Sequence, residues 1–372
     1  MKITSLQENL KNGLLSINHI AGKNINLPIL SNVKIKAKEG NIKLITTDLE
    51  IGITANIRGK IEKEGAYTVN SKILSDFISL LPNKVINIEK KENKLLIKSE
   101  NYKTIIKGEE AEEFPLIPEV KKEECYKIKA IDFKKSLSQV IFAVSNSETK
   151  IELSGVLFNF NKDFLTIVAT DSFRLAEKKI KIINKTEQKQ KQIIIPAKTL
   201  QEVNRILSIQ SENEKDEIII YFSDNQILFI IDSIEIVSRL IEGQYPDYKQ
   251  IIPEKSKTKI IVNKNELIRA VKVASIFSKS KINDINLDFP VGKNNLIITS
   301  NSGMIGENTT ELKTITTGDD NGVIVNFKFL LDGLNNIDSD NIKIEVINNS
   351  TPCILKPENN DDYLYIIMPI RQ

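Results

Sequence analysis

An eight-residue pattern occurs three times along the chain, at residues 69–76, 195–202 and 325–332. Each copy reads aliphatic, Asn or Pro, any residue, Lys, any residue, Leu, any residue, acid. Its lysines, Lys72, Lys198 and Lys328, recur at intervals of 126 and 130 residues. Self-similarity at the length of a domain means that one folding unit is used three times. Other landmarks keep step with it. Leu30-Ser31-Asn32-Val33 and Leu153-Ser154-Gly155-Val156 lead into apolar runs that end at Thr47-Asp48 and Thr170-Asp171, with a worn third version at Ser300-Asn301. Each unit closes on an apolar residue before proline, at Phe114-Pro115, Tyr245-Pro246 and Met368-Pro369. The expected domains are 1–122, 123–254 and 255–372, joined by charged stretches at 119–124 and 253–257.

Within each unit two helices are expected: 5–18, 132–146 and 263–278 for the first, and 71–81, 197–209 and 327–337 for the second. Asn70, Asp132 and Asn263 suit N-cap positions and Pro196 a first turn. Phe133, Leu137, Val140, Ile141 and Val144 form one apolar stripe at helical spacing. Alternating segments at 33–37 and 84–90, with turns at 39–41 and 92–93, read as antiparallel strands. The expected fold class is therefore α+β, three tandem units of two helices packed on antiparallel sheet.

The chain is nearly neutral, at +3, yet the helix candidates (the fifth extended to Lys281) carry +6 and the remainder −3. Lysines on the wet face of amphipathic helices account for this as well as a phosphate-facing surface does. No base-reading motif accompanies them, so any nucleic-acid contact is expected to be sequence-neutral. Two distant cysteines, Cys125 and Cys353, and a single histidine, His19, argue against a metal site or a disulfide framework. Neither a signal peptide nor a membrane span is expected, which makes the cytoplasm the expected location. Thr47-Asp48 and Thr170-Asp171 end strands at matching positions and read as turn formers. Ser31-Asn32-Val33-Lys34 has the spacing of a nucleophile motif but leads into a strand without companion motifs. No enzyme, cofactor or metal is expected.

The string Ala169-Thr170-Asp171-Ser172-Phe173-Arg174-Leu175-Ala176, with Leu27-Pro28-Ile29-Leu30, Gly243-Gln244-Tyr245-Pro246-Asp247-Tyr248 and Tyr365-Ile366-Ile367-Met368-Pro369-Ile370-Arg371, resembles the bacterial sliding clamps, the beta subunits of DNA polymerase III. The resemblance runs the length of the chain. It implies a head-to-tail homodimer of three-domain chains, a ring of six units around double-stranded DNA. It further implies partners that dock through short linear peptides: the replicative polymerase, the clamp loader and repair proteins. By matching position, the peptide pocket takes Leu153, Thr170, Ser172, Phe173, Arg174 and Leu175 from the second domain. Pro246, Ile251, Ile366, Met368, Pro369, Ile370 and Arg371 complete it. DNA contact is expected from Lys23, Lys72, Lys135, Lys198, Arg205, Lys272 and Lys328, and ring closure from Ile106, Ile276 and Phe277. Ser172-Phe173 replaces the usual Gly-His or Ser-His, Gln250 a common basic residue and Ile370 a frequent Met, which implies an altered peptide preference.

Overall fold

The computed structural model describes residues 1–22, 26–147, 149–184, 190–210, 216–253, 255–278, 282–290, 292–303 and 306–371. The first repeat runs through strand Lys2–Leu6, helix α1 (Gln7–Ile17), strands Asn32–Lys38, Asn41–Thr47, Ile51–Ile57, Lys60–Lys63 and Gly65–Asn70, helix α2 (Ser71–Leu80), and strands Val85–Lys91, Lys94–Ser99 and Tyr102–Glu109. The second follows the same order, without a counterpart of Lys60–Lys63 among its described residues. Strand Tyr126–Lys129 precedes α3 (Ala130–Val140), strands Gly155–Phe160, Phe164–Thr170, Arg174–Lys181 and Lys191–Pro196 precede α4 (Ala197–Gln210), and Glu217–Phe222, Gln226–Ile231 and Ile234–Arg239 close it. The third opens with Thr258–Asn263 and α5 (Lys264–Phe277). It continues through Asp284–Phe289, Asn295–Ser302, Gly306–Lys313, Ile315–Gly318 and Asn321–Asn326 to α6 (Phe327–Asn336), and ends with Asn341–Val346, Cys353–Pro357 and Tyr363–Ile367.

Backbone hydrogen bonds make the equivalence of the repeats concrete. The first residue of each leading helix donates its N–H to a carbonyl just before or at the unit's next sheet: Gln7 to Lys84, Ala130 to Asp216 and Lys264 to Asp340. At the other end, the Thr46 hydroxyl donates to the Ile17 carbonyl of α1 and the Ser300 hydroxyl to the Ala274 carbonyl of α5. These fix the correspondences Gln7, Ala130, Lys264 and Ile17, Val140, Ala274. Ser300 thus takes the place of Thr46, one residue earlier than the sequence alignment placed it.

Two compact units emerge from the contacts. One holds Met1–Ile131, Ile183–Thr186 and Gln201–Leu240; the other holds the rest of the chain. The first is built on a thirteen-stranded antiparallel sheet, in which Ile234–Arg239 of the second repeat pairs with Ile51–Ile57 of the first. In the second unit a nine-stranded sheet joins Tyr363–Ile367 of the third repeat to Arg174–Lys181 of the second, beside a separate four-stranded sheet. Both cores are apolar, with aliphatic side chains and buried aromatic rings. Ile3, Leu10, Leu14, Ile86 and Ile88 are fully buried in the first unit, and Phe133, Leu137, Phe158, Ile167 and Val168 in the second. Each such side chain contributes about 2 kcal/mol of apolar transfer.

Sequence expectations failed at four helix ends. Ser5 belongs to the strand Lys2–Leu6, so α1 begins at Gln7. Asp132 is no N-cap: α3 begins at Ala130, directly off its strand, and Asp132 lies in the first turn, where its charge suits the helix dipole. The far end of α3 comes at Val140, followed by a 3-10 turn at Ile141–Ala143. Pro196 ends its strand opposite Gly155, just outside α4, where its missing N–H costs no ladder bond.

Candidate partner and nucleic-acid interfaces

The Thr-Asp pairs build one turn twice. The Thr47 hydroxyl donates to the Ile51 carbonyl at 2.8 Å and the Thr170 hydroxyl to the Arg174 carbonyl at 2.6 Å. The aspartates accept the next backbone N–H groups, Asp48 from Glu50 and Ile51, Asp171 from Phe173 and Arg174. Satisfying those donors holds Leu49 and Ser172 at a φ of 79°, a left-handed conformation that a side chain resists. In the second copy the turn lifts Phe173 out of the surface, 63% exposed.

Beside it, Arg174 is only 12% exposed and fully engaged. Its Nε donates to Asp171 at 2.9 Å, Nη1 to Asp332 at 2.5 Å and Nη2 to the Phe142 carbonyl at 3.0 Å. The guanidinium also lies 5.5 Å from the Phe142 ring centre and 4.8 Å from that of Phe329. This arginine, expected in the peptide pocket, clasps the turn to α6, and Asp332 is the terminal acid of the third octapeptide.

Of the expected pocket residues, Leu153, Leu175 and Ile366 come together in one buried apolar cluster with Leu157, Val168, Ile194, Ile354 and Leu364. Tyr245 and Tyr248 belong to the same cluster and were missed as site residues, although their i, i+3 spacing in the Gln244–Tyr248 string was visible. The Tyr248 hydroxyl donates to Glu177 at 2.6 Å, and burial, reinforced by that carboxylate, pushes it well above the ordinary tyrosine range. Thr170 is buried in its turn, while Phe173, Ser172, Pro246, Ile251 and Arg371 are exposed around it. Met368, Pro369 and Ile370 are half-buried; the Met368 N–H donates to the Phe173 carbonyl and the Ile370 N–H to Ile324, both at 2.8 Å. Gln250 donates to Asp247.

The octapeptide asparagines act as caps. Asn70 accepts from the Ile73 N–H, Asn326 from those of Lys328 and Phe329, and Asn263, leading α5, from that of Glu266. Lys72, Lys198 and Lys328 then fall at the second position of α2, α4 and α6, all exposed. A cation there opposes the positive end of the helix dipole. The position is repeated three times against the interest of each helix.

Other expected cations fare differently. Lys272 is exposed on α5; Lys135 is exposed too but pairs with Asp338. Arg205 donates to Glu202 at 2.9 Å and to the carbonyls of Leu15 and Ser16, so its donors already serve the fold. Lys23 lies outside the described residues. Among the ring-closure residues, Ile276 is 58% exposed and Phe277 half-buried. Ile106 needs correcting: it faces the core of its own repeat, opposite Leu95, and is 6% exposed. Strand alternation puts its neighbour Ile105 outward, at 59%.

Family models for the N-terminal, central and C-terminal domains of the DNA polymerase III beta subunit match residues 1–118, 127–247 and 249–371. The beta sliding clamps of Staphylococcus epidermidis and Staphylococcus aureus are each 32% identical over 358 residues, covering 93% of this chain and 92% of theirs. Among solved structures, the sliding clamp from Bacillus subtilis superposes with a TM-score of 0.94 at 27% identity, covering 100% of this chain and 99% of that one. A DNA polymerase III beta subunit from Eubacterium rectale gives 0.93 at 28%, with both chains covered fully. Three clamp domains in tandem, in a chain whose repeats share one order of strands and helices, place this protein in the DNA polymerase III beta subunit family, the beta sliding clamps.

Proposed function

We propose that two copies of this chain close head to tail into a ring of six repeats around double-stranded DNA. The ring slides without reading sequence and serves as the processivity factor of the replicative polymerase. Its domains are 1–122, 123–254 and 255–372, and it works in the cytoplasm as a tether without catalysis of its own. Polymerase, clamp loader and repair proteins dock through short linear peptides over the apolar cluster, beside Phe173 and Met368.

The observation that carries this reading is the exposed lysine in the first turn of α2, α4 and α6. Cations repeated at one place on three helices suit scattered phosphates, which they attract without reading sequence. Two sheet edges support closure. Gly306–Lys313 is an edge strand, and Tyr102–Glu109 meets Gly65–Asn70 only through Gly108 and Glu109, leaving most of its length unpaired on that side among the described residues. Their counterparts, Ile51–Ile57 with Ile234–Arg239 and Arg174–Lys181 with Tyr363–Ile367, pair within the chain. A head-to-tail contact that repeats with a closing rotation makes a ring.

The test is retention on DNA. The loaded protein should stay on nicked circular DNA through a high-salt wash and leave once the circle is cut. Equal retention on linear DNA would rule out topological linkage.

A further inference from the structure

The terminal acids of the octapeptides have unequal surroundings. Glu202, from the second repeat, pairs with His19 of the first. Asp332, from the third, pairs with Arg174 of the second, whose other donor reaches the Phe142 carbonyl. His19 and Phe142 are counterparts, each two residues past the matched pair Ile17 and Val140. Both junctions between consecutive repeats therefore set an octapeptide acid beside a basic side chain of the preceding repeat: His19 itself in the first, and in the second Arg174, which reaches from its strand to the carbonyl of the His19 counterpart, Phe142. Asp76, the remaining acid, is exposed, and its side chain has no hydrogen-bond or ion-pair partner among the described residues.

The third-repeat counterpart of His19 and Phe142 is Ile276, exposed near the end of α5. Asp76 likewise has an apolar neighbour one turn earlier: Ile73, 55% exposed, stands where α6 carries Phe329. The chain thus ends in two half-junctions, an acid with an exposed isoleucine on α2 and an exposed isoleucine on α5. The missing cation lies one turn before Ile276. Lys272 is exposed, shares that helix face at i, i+4, and its side chain has no hydrogen-bond or ion-pair partner among the described residues.

We propose that Asp76 of one copy pairs with Lys272 of a second copy, with Ile73 packed on Ile276, so that ring closure repeats the contact between an octapeptide acid and a basic side chain that is used twice inside the chain. This rests on the ring reading above and assigns Lys272 to closure rather than to DNA. Flanking isoleucines would exclude water from the pair, which strengthens it and fixes the head-to-tail register.

Sedimentation of the full-length chain over a dilution series tests the pairing. Asp76→Lys and Lys272→Asp should each raise the dimer dissociation constant by about ten-fold or more, with thermal unfolding unchanged when it is read at a dilution where parent and variant are both monomeric, because both residues are exposed. The double variant reverses the pair in both interfaces of the ring and should return to within about three-fold of the parent. A single variant indistinguishable from the parent, or a double variant no better than the worse single, overturns the pairing while the parent still dimerises. A parent that is monomeric throughout overturns the ring reading itself.

Discussion

The guanidinium of Arg174 ties Asp171, Asp332 and the Phe142 carbonyl together between two aromatic rings. Arg174→Ala should cost about 3 kcal/mol in urea unfolding, because it strands a carboxylate and a carbonyl near the surface of the core. Arg174→Lys should recover little of this, since an ammonium cannot supply the planar fork. Any accompanying loss of peptide affinity would come from a displaced turn. Burial also sets a pH limit. Tyr245 and Tyr248 are raised above their ordinary 10.0, and burial pushes the Cys353 thiol up to about 12 from 9.0. These folded values exceed the unfolded ones, so the stability they confer is complete below pH 9.0 and lost as pH rises beyond the unfolded values. The urea midpoint should therefore fall progressively in alkaline buffer, and Tyr248→Phe should flatten that fall while costing about 2 kcal/mol at neutral pH.

At the level of helices and turns, the first-turn lysines make an unusual pairing of effects testable. Replacing Lys72, Lys198 and Lys328 together by alanine should raise thermal stability slightly, by about 0.3–1 kcal/mol per helix, while making DNA binding weaker and less salt-dependent. Residues conserving only the fold would not move both. In the Thr-Asp turn, Ser172→Gly should stabilise the chain by about 1 kcal/mol, measured by denaturant midpoint, by relieving the left-handed backbone. Gly333 shows the opposite constraint: a Cβ there would come within 2.2 Å of the Tyr365 ring, so this helix glycine is held by packing. What could be read in advance follows the same division. Asn70 and Asn263 were legible as caps because capping is local chemistry. Ile106 was carried over by matching position to the family, and the adjacent Ile105 and Ile106 do not themselves announce which of the two faces outward. The clasp of Arg174 and the burial of Tyr245 and Tyr248 depend on residues far apart in sequence, and no local pattern encodes them.

For the whole molecule, the threefold octapeptide already implied one fold used three times, and the repeats share one succession of helices and strands apart from the short strands Lys60–Lys63 and Ile315–Gly318, which have no counterpart among the described residues of the second. What the period could not tell was that repeats join by strand pairing, so that the second repeat gives one sheet to each compact unit. Domain boundaries drawn along the sequence therefore do not coincide with the contact units. That joining also has a kinetic consequence. In a ring of two such chains every junction inside a chain is held by the polypeptide itself, and the two between chains are identical. If one of those parts, the other keeps the ends tethered, and rejoining proceeds at a high effective concentration independent of how much protein is in solution. A loaded ring should then survive dilution far below the level at which free chains separate, and its lifetime on a closed circle, followed by single-molecule fluorescence, should not change with bulk concentration.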